Sequence, residues 1–243
     1  LSTSGFAAVV VVGANTNIFA SGFDTVTGVG DSTGVAPDAT RFAAGPNLAL
    51  AFSSVTGAVG CGPYCANETS GPTTNGPDGG SYNGMETGAT NITGVDNGIS
   101  GLSFVGRELF LVGVFLDDNV PSGPGPASWV YNPLLADGAT QFSPGIGQVF
   151  YIGDGYTGNL SQGSGNPADL QQTFFIPTTA TRLYLGFADG MGFVGSPGTY
   201  DDNTGTLTAT FQITDPVPAP EPGSEILLGL GLAGLSLLGR KLA

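Results

Sequence analysis

From Thr206 to Ile213 the chain alternates without a break, with Thr206, Thr208, Thr210 and Gln212 on one side and Leu207, Ala209, Phe211 and Ile213 on the other. A period of two segregates these sets only in an extended strand, because a helix would scatter them around its axis. The stretch Thr206–Thr214 therefore predicts a strand with one buried and one wet face. Leu109–Leu116 is almost wholly apolar, which predicts a central strand covered on both faces. Shorter β-branched or aromatic runs predict strands at Ala8–Val12, Asn17–Ala20, Asn47–Ser53, Gly147–Tyr151, Thr173–Ile176 and Arg182–Ala188. Gly, Pro, Asn and Asp clusters separate them, and long helical patterns are missing. With 42 Gly and 17 Pro the chain is rich in turn formers, yet at 40% hydrophobic it carries enough apolar surface to fold. The fold class predicted is all-β, a single domain over residues 8–215, with long loops at Gly57–Ser100 and Asp117–Gly145.

Charge narrows the function. The chain holds 19 acidic and 5 basic residues, a net charge of −14, and setting aside Glu221, Glu225, Arg240 and Lys241 near the C-terminus leaves the domain as acidic as before. Such a field repels phosphate backbones, so nucleic acid is excluded as a partner. It suits divalent cations or plain solubility. Histidine is absent, which removes the usual general base and the commonest transition-metal ligand. Paired carboxylates could still catalyse, but no spacing marks such a pair, and the protein is read as a non-enzyme.

The two ends point to export. Gly5-Phe6-Ala7-Ala8 reads as the close of a signal peptide, with residues 1–7 its remnant, or as the start of a first strand running to Val12. Residues 216–219 form a Pro-rich linker, stiff and extended. Pro220-Glu221-Pro222 is followed by the apolar run Ile226–Leu238 and by Arg240-Lys241. As a helix the run spans only about 20 Å, short of roughly 30 Å of hydrocarbon, which fits a transient anchor. The basic pair would stay cytoplasmic and place the acidic domain outside. Residues 220–243 resemble the PEP-CTERM sorting signal of exopolysaccharide-producing bacteria. That resemblance implies an exosortase acting near the tripeptide, transient contact with the inner membrane, and residence at the cell envelope or in the extracellular matrix. Within the run, Gly229 to Gly234 matches G-x-G-x-x-G, but no βαβ unit surrounds it and it reads as membrane helix.

Cys61 and Cys65 stand in the first long loop. In an exported protein this pair reads as a local disulfide that pins a loop tip, rather than as free thiols or part of a metal site. Trp129, Tyr131 and Tyr156 could stack on sugar rings or cap a core.

A strand, an acidic loop and a strand close the domain. Thr181 to Gly190 ends on Ala188-Asp189-Gly190, and Pro197-Gly198-Thr199-Tyr200-Asp201-Asp202-Asn203-Thr204-Gly205 leads into the last strand. This unit resembles the calcium loop of the PA-IL-like, calcium-dependent galactophilic lectins, strictly over Pro197–Gly205 and loosely over most of the domain. The resemblance implies an antiparallel β-sandwich of galactose-binding, jelly-roll-like form. It also implies calcium held by Asp189, Thr199, Asp202 and Asn203, the same residues meeting the hydroxyls of a glycan or exopolysaccharide through the ion. Calcium takes six to eight oxygens, and such a loop can supply several. The chain departs from the family in the Gly190–Ser196 insertion, in Asp202 for an asparagine, and in lacking the family's sugar-contacting histidine. The alternatives are that Asp201–Gly205 is a polar turn, and that the protein is a structural matrix or filament component that self-associates into a homo-oligomer.

Overall fold

The computed structural model describes residues 5–61, 66–67, 71–72, 74–80, 89–158 and 169–215. The expected linker and sorting tail, with Pro220, Glu221, Pro222, Arg240, Lys241 and the apolar helix at 226–238, lie outside the described residues. So does Cys65.

The described part is all-β. In chain order its strands are β1 (Phe6–Gly13), β2 (Ala39–Arg41), β3 (Ala49–Gly60), β4 (Ala66–Asn67), β5 (Gly71–Pro72), β6 (Ala89–Ile92), β7 (Leu102–Val105) and β8 (Leu111–Leu116). There follow β9 (Trp129–Tyr131), β10 (Gln141–Phe142), β11 (Val149–Tyr151), β12 (Thr173–Phe175), β13 (Arg182–Phe187), β14 (Val194–Gly195) and β15 (Thr204–Thr214). One sheet runs β1-β15-β3-β12-β10, a second β11-β8-β13-β2, a third β14-β6-β7-β9, and β4 pairs with β5.

The alternation in the last strand does what its pattern requires. Leu207, Ala209, Phe211 and Ile213 are buried, while Thr206 and Gln212 on the other face are exposed. All six residues of β8 are buried, as its unbroken apolar run demands, and it lies between β11 and β13. Phe150 on β11 packs 5.3 Å from Phe174 on β12, joining the first two sheets, and Phe104 on β7 meets Tyr151 at 5.1 Å, joining the third. Ring pairs of this kind add about 0.5–1.5 kcal/mol each beyond the area they bury.

Several expectations are corrected. Asn17–Ala20 is not a strand: the Asn17 carboxamide oxygen accepts from the Phe19 N–H at 3.0 Å and turns Ile18–Ala20 into a fully buried 3-10 turn. An asparagine side chain that competes for backbone donors favours a cap over an extended ladder. The supposed loop Gly57–Ser100 contains the end of β3 and all of β6, and Asp117–Gly145 contains β9, the helical turn Pro133–Gly138 and β10. The sheets are not purely antiparallel, since β10 with β12, β14 with β6 and β7 with β9 run parallel. Phe6 and Ala7, read as leader remnant or strand, lie in β1. Trp129 packs edge-on against Tyr131 at 5.5 Å, Tyr131 is fully buried, and the Tyr156 hydroxyl donates to the Ser53 carbonyl at 3.3 Å, so the three form no stacking platform.

Candidate functional site

Strand β13 ends at Phe187, and the chain leaves it through Ala188-Asp189-Gly190 to reach the acidic loop before β15. The buried Tyr200 ties the two ends of this excursion together. Its hydroxyl donates to the Phe187 carbonyl at 2.9 Å and accepts from the Asp189 N–H at 3.0 Å. The Gly198 N–H adds a bond to the Asp189 carbonyl at 3.0 Å. The inserted segment between Asp189 and Pro197 therefore loops out without carrying Asp189 away from Thr199 and Asp202.

Asp189, Thr199 and Asp202 line one cavity of about 260 Å³, together with Gly190, Met191, Gly192, Phe193 and Cys61. Asn203, the fourth expected ligand, donates through its amide nitrogen to Asp189 Oδ2 at 2.7 Å and to the Ala14 carbonyl at 3.2 Å. All four residues assigned from the sequence thus converge, although the first is separated from the rest along the chain. Cys61 is disulfide-bonded, which fixes a part of the cavity wall.

Both carboxyls at the cavity are shifted upward. Asp189 is 2% exposed, and its burial pushes the carboxyl up to about 7 against the hydrogen bonds from Asn203 and Gly190, with the Asp202 charge adding to the rise. Asp202 is also raised, by burial and then by Asp201. Asp202 Oδ1 and Asn203 Oδ1 are buried and accept no hydrogen bond. A buried acceptor without a partner typically costs about 1–3 kcal/mol. Hard cations such as calcium use oxygens of this kind, from carboxylate, amide and hydroxyl groups together. Among the described residues no three His, Cys, Asp or Glu side chains are grouped to hold a metal. The set here has two carboxylates, one amide and one threonine.

The backbone at the loop is held in an uncommon shape. Thr199 has φ 62° and ψ 14°, the left-handed region that a β-branched residue rarely enters. Asp31 and Thr33 hold it there. The Thr199 N–H donates to Asp31 Oδ2 at 2.8 Å, and the Tyr200 N–H donates to the Thr33 hydroxyl at 3.0 Å. The Thr33 hydroxyl in turn donates to Asp31 Oδ1 at 2.6 Å. Burial works to raise the Asp31 carboxyl, but these hydrogen bonds outweigh it and hold the group below its usual range. Two glycines let the segments meet. A Cβ at Gly30 would strike the Pro197 carbonyl oxygen, and one at Gly34, where φ is 84°, would lie 2.6 Å from the Tyr200 Cβ.

Sequence reasoning missed this clamp. Asp31 and Thr199 are 168 residues apart, so no local pattern joins them. The available signal was Gly30-Asp31-Ser32-Thr33-Gly34, an aspartate two residues before a threonine between glycines, which is turn chemistry without an address.

No protein-family model matches the chain, and no curated protein or solved structure shows significant similarity to it.

Proposed function

We propose that the protein is an exported, calcium-dependent carbohydrate-binding module, a β-sandwich of jelly-roll-like form. Its Pro220-Glu221-Pro222 tail, ending in a short apolar helix, would hold it at the cell envelope or matrix. The observation that carries this reading is the cavity in which Asp189, Thr199 and Asp202 meet, with buried oxygens of Asp202 and Asn203 lacking donors. Asp189, Asp202, Asn203 and Thr199 would hold the ion. Bound calcium supplies open positions for a pair of sugar hydroxyls. The chain's own residues supply the rest: Asp31 and Thr33 orient the loop, and Tyr200 keeps Asp189 against it. Binding rather than catalysis suits such a set, since no histidine is present to act as a general base.

A glycan array probed with the full chain in calcium and again in chelator tests the reading. Glycan binding is expected in calcium only. Asp202→Ala should weaken calcium by at least about tenfold in a calorimetric titration and remove glycan binding. Binding that is indifferent to chelator or that survives Asp202→Ala refutes the assigned site.

One feature favours a second reading, a structural matrix component that self-assembles. Strand β1 lies at the edge of its sheet, pairs with β15 alone among the described strands, and leaves Val9 and Val11 about two-thirds exposed. Exposed, uncharged edges invite strand addition. Lysine at both valines should abolish any association seen by sedimentation if β1 is the contact.

A further inference from the structure

We propose that the saccharide this cavity takes is a 6-deoxyhexose, and that Met191 and Phe193 select it by packing on the methyl group; the proposal rests on the calcium-dependent reading above. The cavity lining is of two kinds: Asp189, Thr199 and Asp202 bring oxygens, while Met191, Phe193 and Cys61 bring carbon and sulfur. A ligand seated there meets both.

The apolar part of the lining is built, not incidental. Met191 is 79% exposed, a large apolar side chain standing in water at the rim of a strongly acidic protein. The turn that carries it is fastened at each end. The Gly190 N–H donates to Asp189 Oδ1 at 2.7 Å, and the Phe193 N–H donates to the Gly190 carbonyl at 2.8 Å. Val194 and Gly195 pair with Asn91 and Ile92, and both the N–H and the hydroxyl of Thr93 donate to the Gly195 carbonyl, at 2.8 and 3.0 Å. Within the turn Phe193 is buried at φ 58°, a left-handed backbone that an aromatic residue seldom adopts. Outliers of this sort persist where the surroundings hold them, commonly at ligand clamps. Methionine suits the rim because an unbranched thioether adapts its shape to an apolar partner.

This lining sets the ligand's chemistry. The diol belongs on the cation side. A hydroxyl turned toward Met191 and Phe193 gains nothing from their apolar side chains, whereas a methyl group there removes apolar surface from water. About 260 Å³ falls just below the roughly 300–1,000 Å³ of pockets that hold drug-sized ligands, which is room for about one sugar ring. The discrimination expected from one methyl group against one hydroxyl is about threefold to tenfold in Kd.

Matched pairs isolate that group: D-galactose with D-fucose, L-galactose with L-fucose, and D-mannose with D-rhamnose, each pair differing only in the C6 hydroxyl. Calorimetry of the full chain in excess calcium should show at least one pair binding, with the deoxy member about threefold to tenfold tighter. Met191→Ser should narrow the difference between the two members of that pair. Equal binding by the native protein, a preference for the hydroxylated sugar, or a deoxy preference that is undiminished in Met191→Ser overturns the proposal while leaving calcium-dependent sugar binding intact. Calcium binding with no sugar bound from any pair ends the carbohydrate reading and this proposal together.

Discussion

Two aspartates are buried at different places in the first turns beyond the sheets, and both have carboxyls pushed up to about 7, chiefly by that burial. Around Asp78 the carboxylate is tied into the protein itself. Asp78 Oδ1 accepts from the Tyr151 hydroxyl and from the Asp154 N–H, both at 2.9 Å, and the Arg107 guanidinium reaches the same tyrosine at 2.8 Å. Asp154 itself accepts from the Tyr156 N–H at 2.8 Å. Around Asp189 the arrangement opens onto a cavity, and the neighbouring Asp202 and Asn203 keep oxygens that accept nothing. A raised carboxyl therefore does not distinguish a brace from a binding site. What does is room beside it, with acceptors left over.

The comparison breaks most readily at the closed end. Asp78→Ala strips the Tyr151 hydroxyl and the Asp154 N–H of this acceptor, so stability should fall by about 2–4 kcal/mol in denaturant unfolding, with calcium affinity unchanged. A loss below about 0.5 kcal/mol would show that the cluster braces nothing.

Acidity sharpens it next. A buried aspartate whose carboxyl is raised from about 4 when unfolded to about 7 when folded holds a proton that the unfolded chain has released, so metal-free stability should decline as pH rises from about 4 through 7. Both sites contribute to that decline. On the proposed reading calcium would separate them, because it would replace the proton on Asp189 and not the one on Asp78. Calcium affinity should rise through the same window, and saturating calcium should recover part of the stability lost by pH 8. Thermal unfolding at pH 5, 6.5 and 8, with calcium and with chelator, reads both effects.

The smallest expected effect lies in the loop. Thr199→Gly relieves the left-handed strain and should leave metal-free stability within about 1 kcal/mol of native, while calcium weakens because a ligand oxygen and its orientation are lost. Asp31→Ala should weaken calcium to a similar or smaller degree without removing any ligand oxygen. If Thr199→Gly binds calcium as well as the native chain does, Thr199 is a turn residue and the ligand set is three.

Those residues also mark where the sequence was readable. Strand β15 was legible because one element alone, a period of two, sets its buried face, and β8 because an unbroken apolar run has no wet side to offer. The convergence of Thr199, Asp202 and Asn203 was legible as a loop, and Asp189 as the exit of the strand before it. Asn17–Ala20 misled because its apolar residues are as buried as any strand's, and only the Asn17 side chain decides the turn. The third sheet hid in Gly- and Pro-rich sequence whose strands are four residues or fewer, too short to show a period. The Asp31 clamp and the Asp78 brace join residues far apart in the chain, and such partners leave no trace in local pattern.

Strand β15 also governs when the fold can close. It lies between β1 and β3, matching Phe6 to Gly13 on one side and Ala49 to Gly60 on the other. The middle of the first sheet is thus supplied by nearly the last described residues, and among the described strands β1 has no other partner. Contacts of such sequence separation fold slowly, because the whole intervening chain must be closed into a loop first. A nascent chain of this design keeps the first sheet incomplete until its final strand is made.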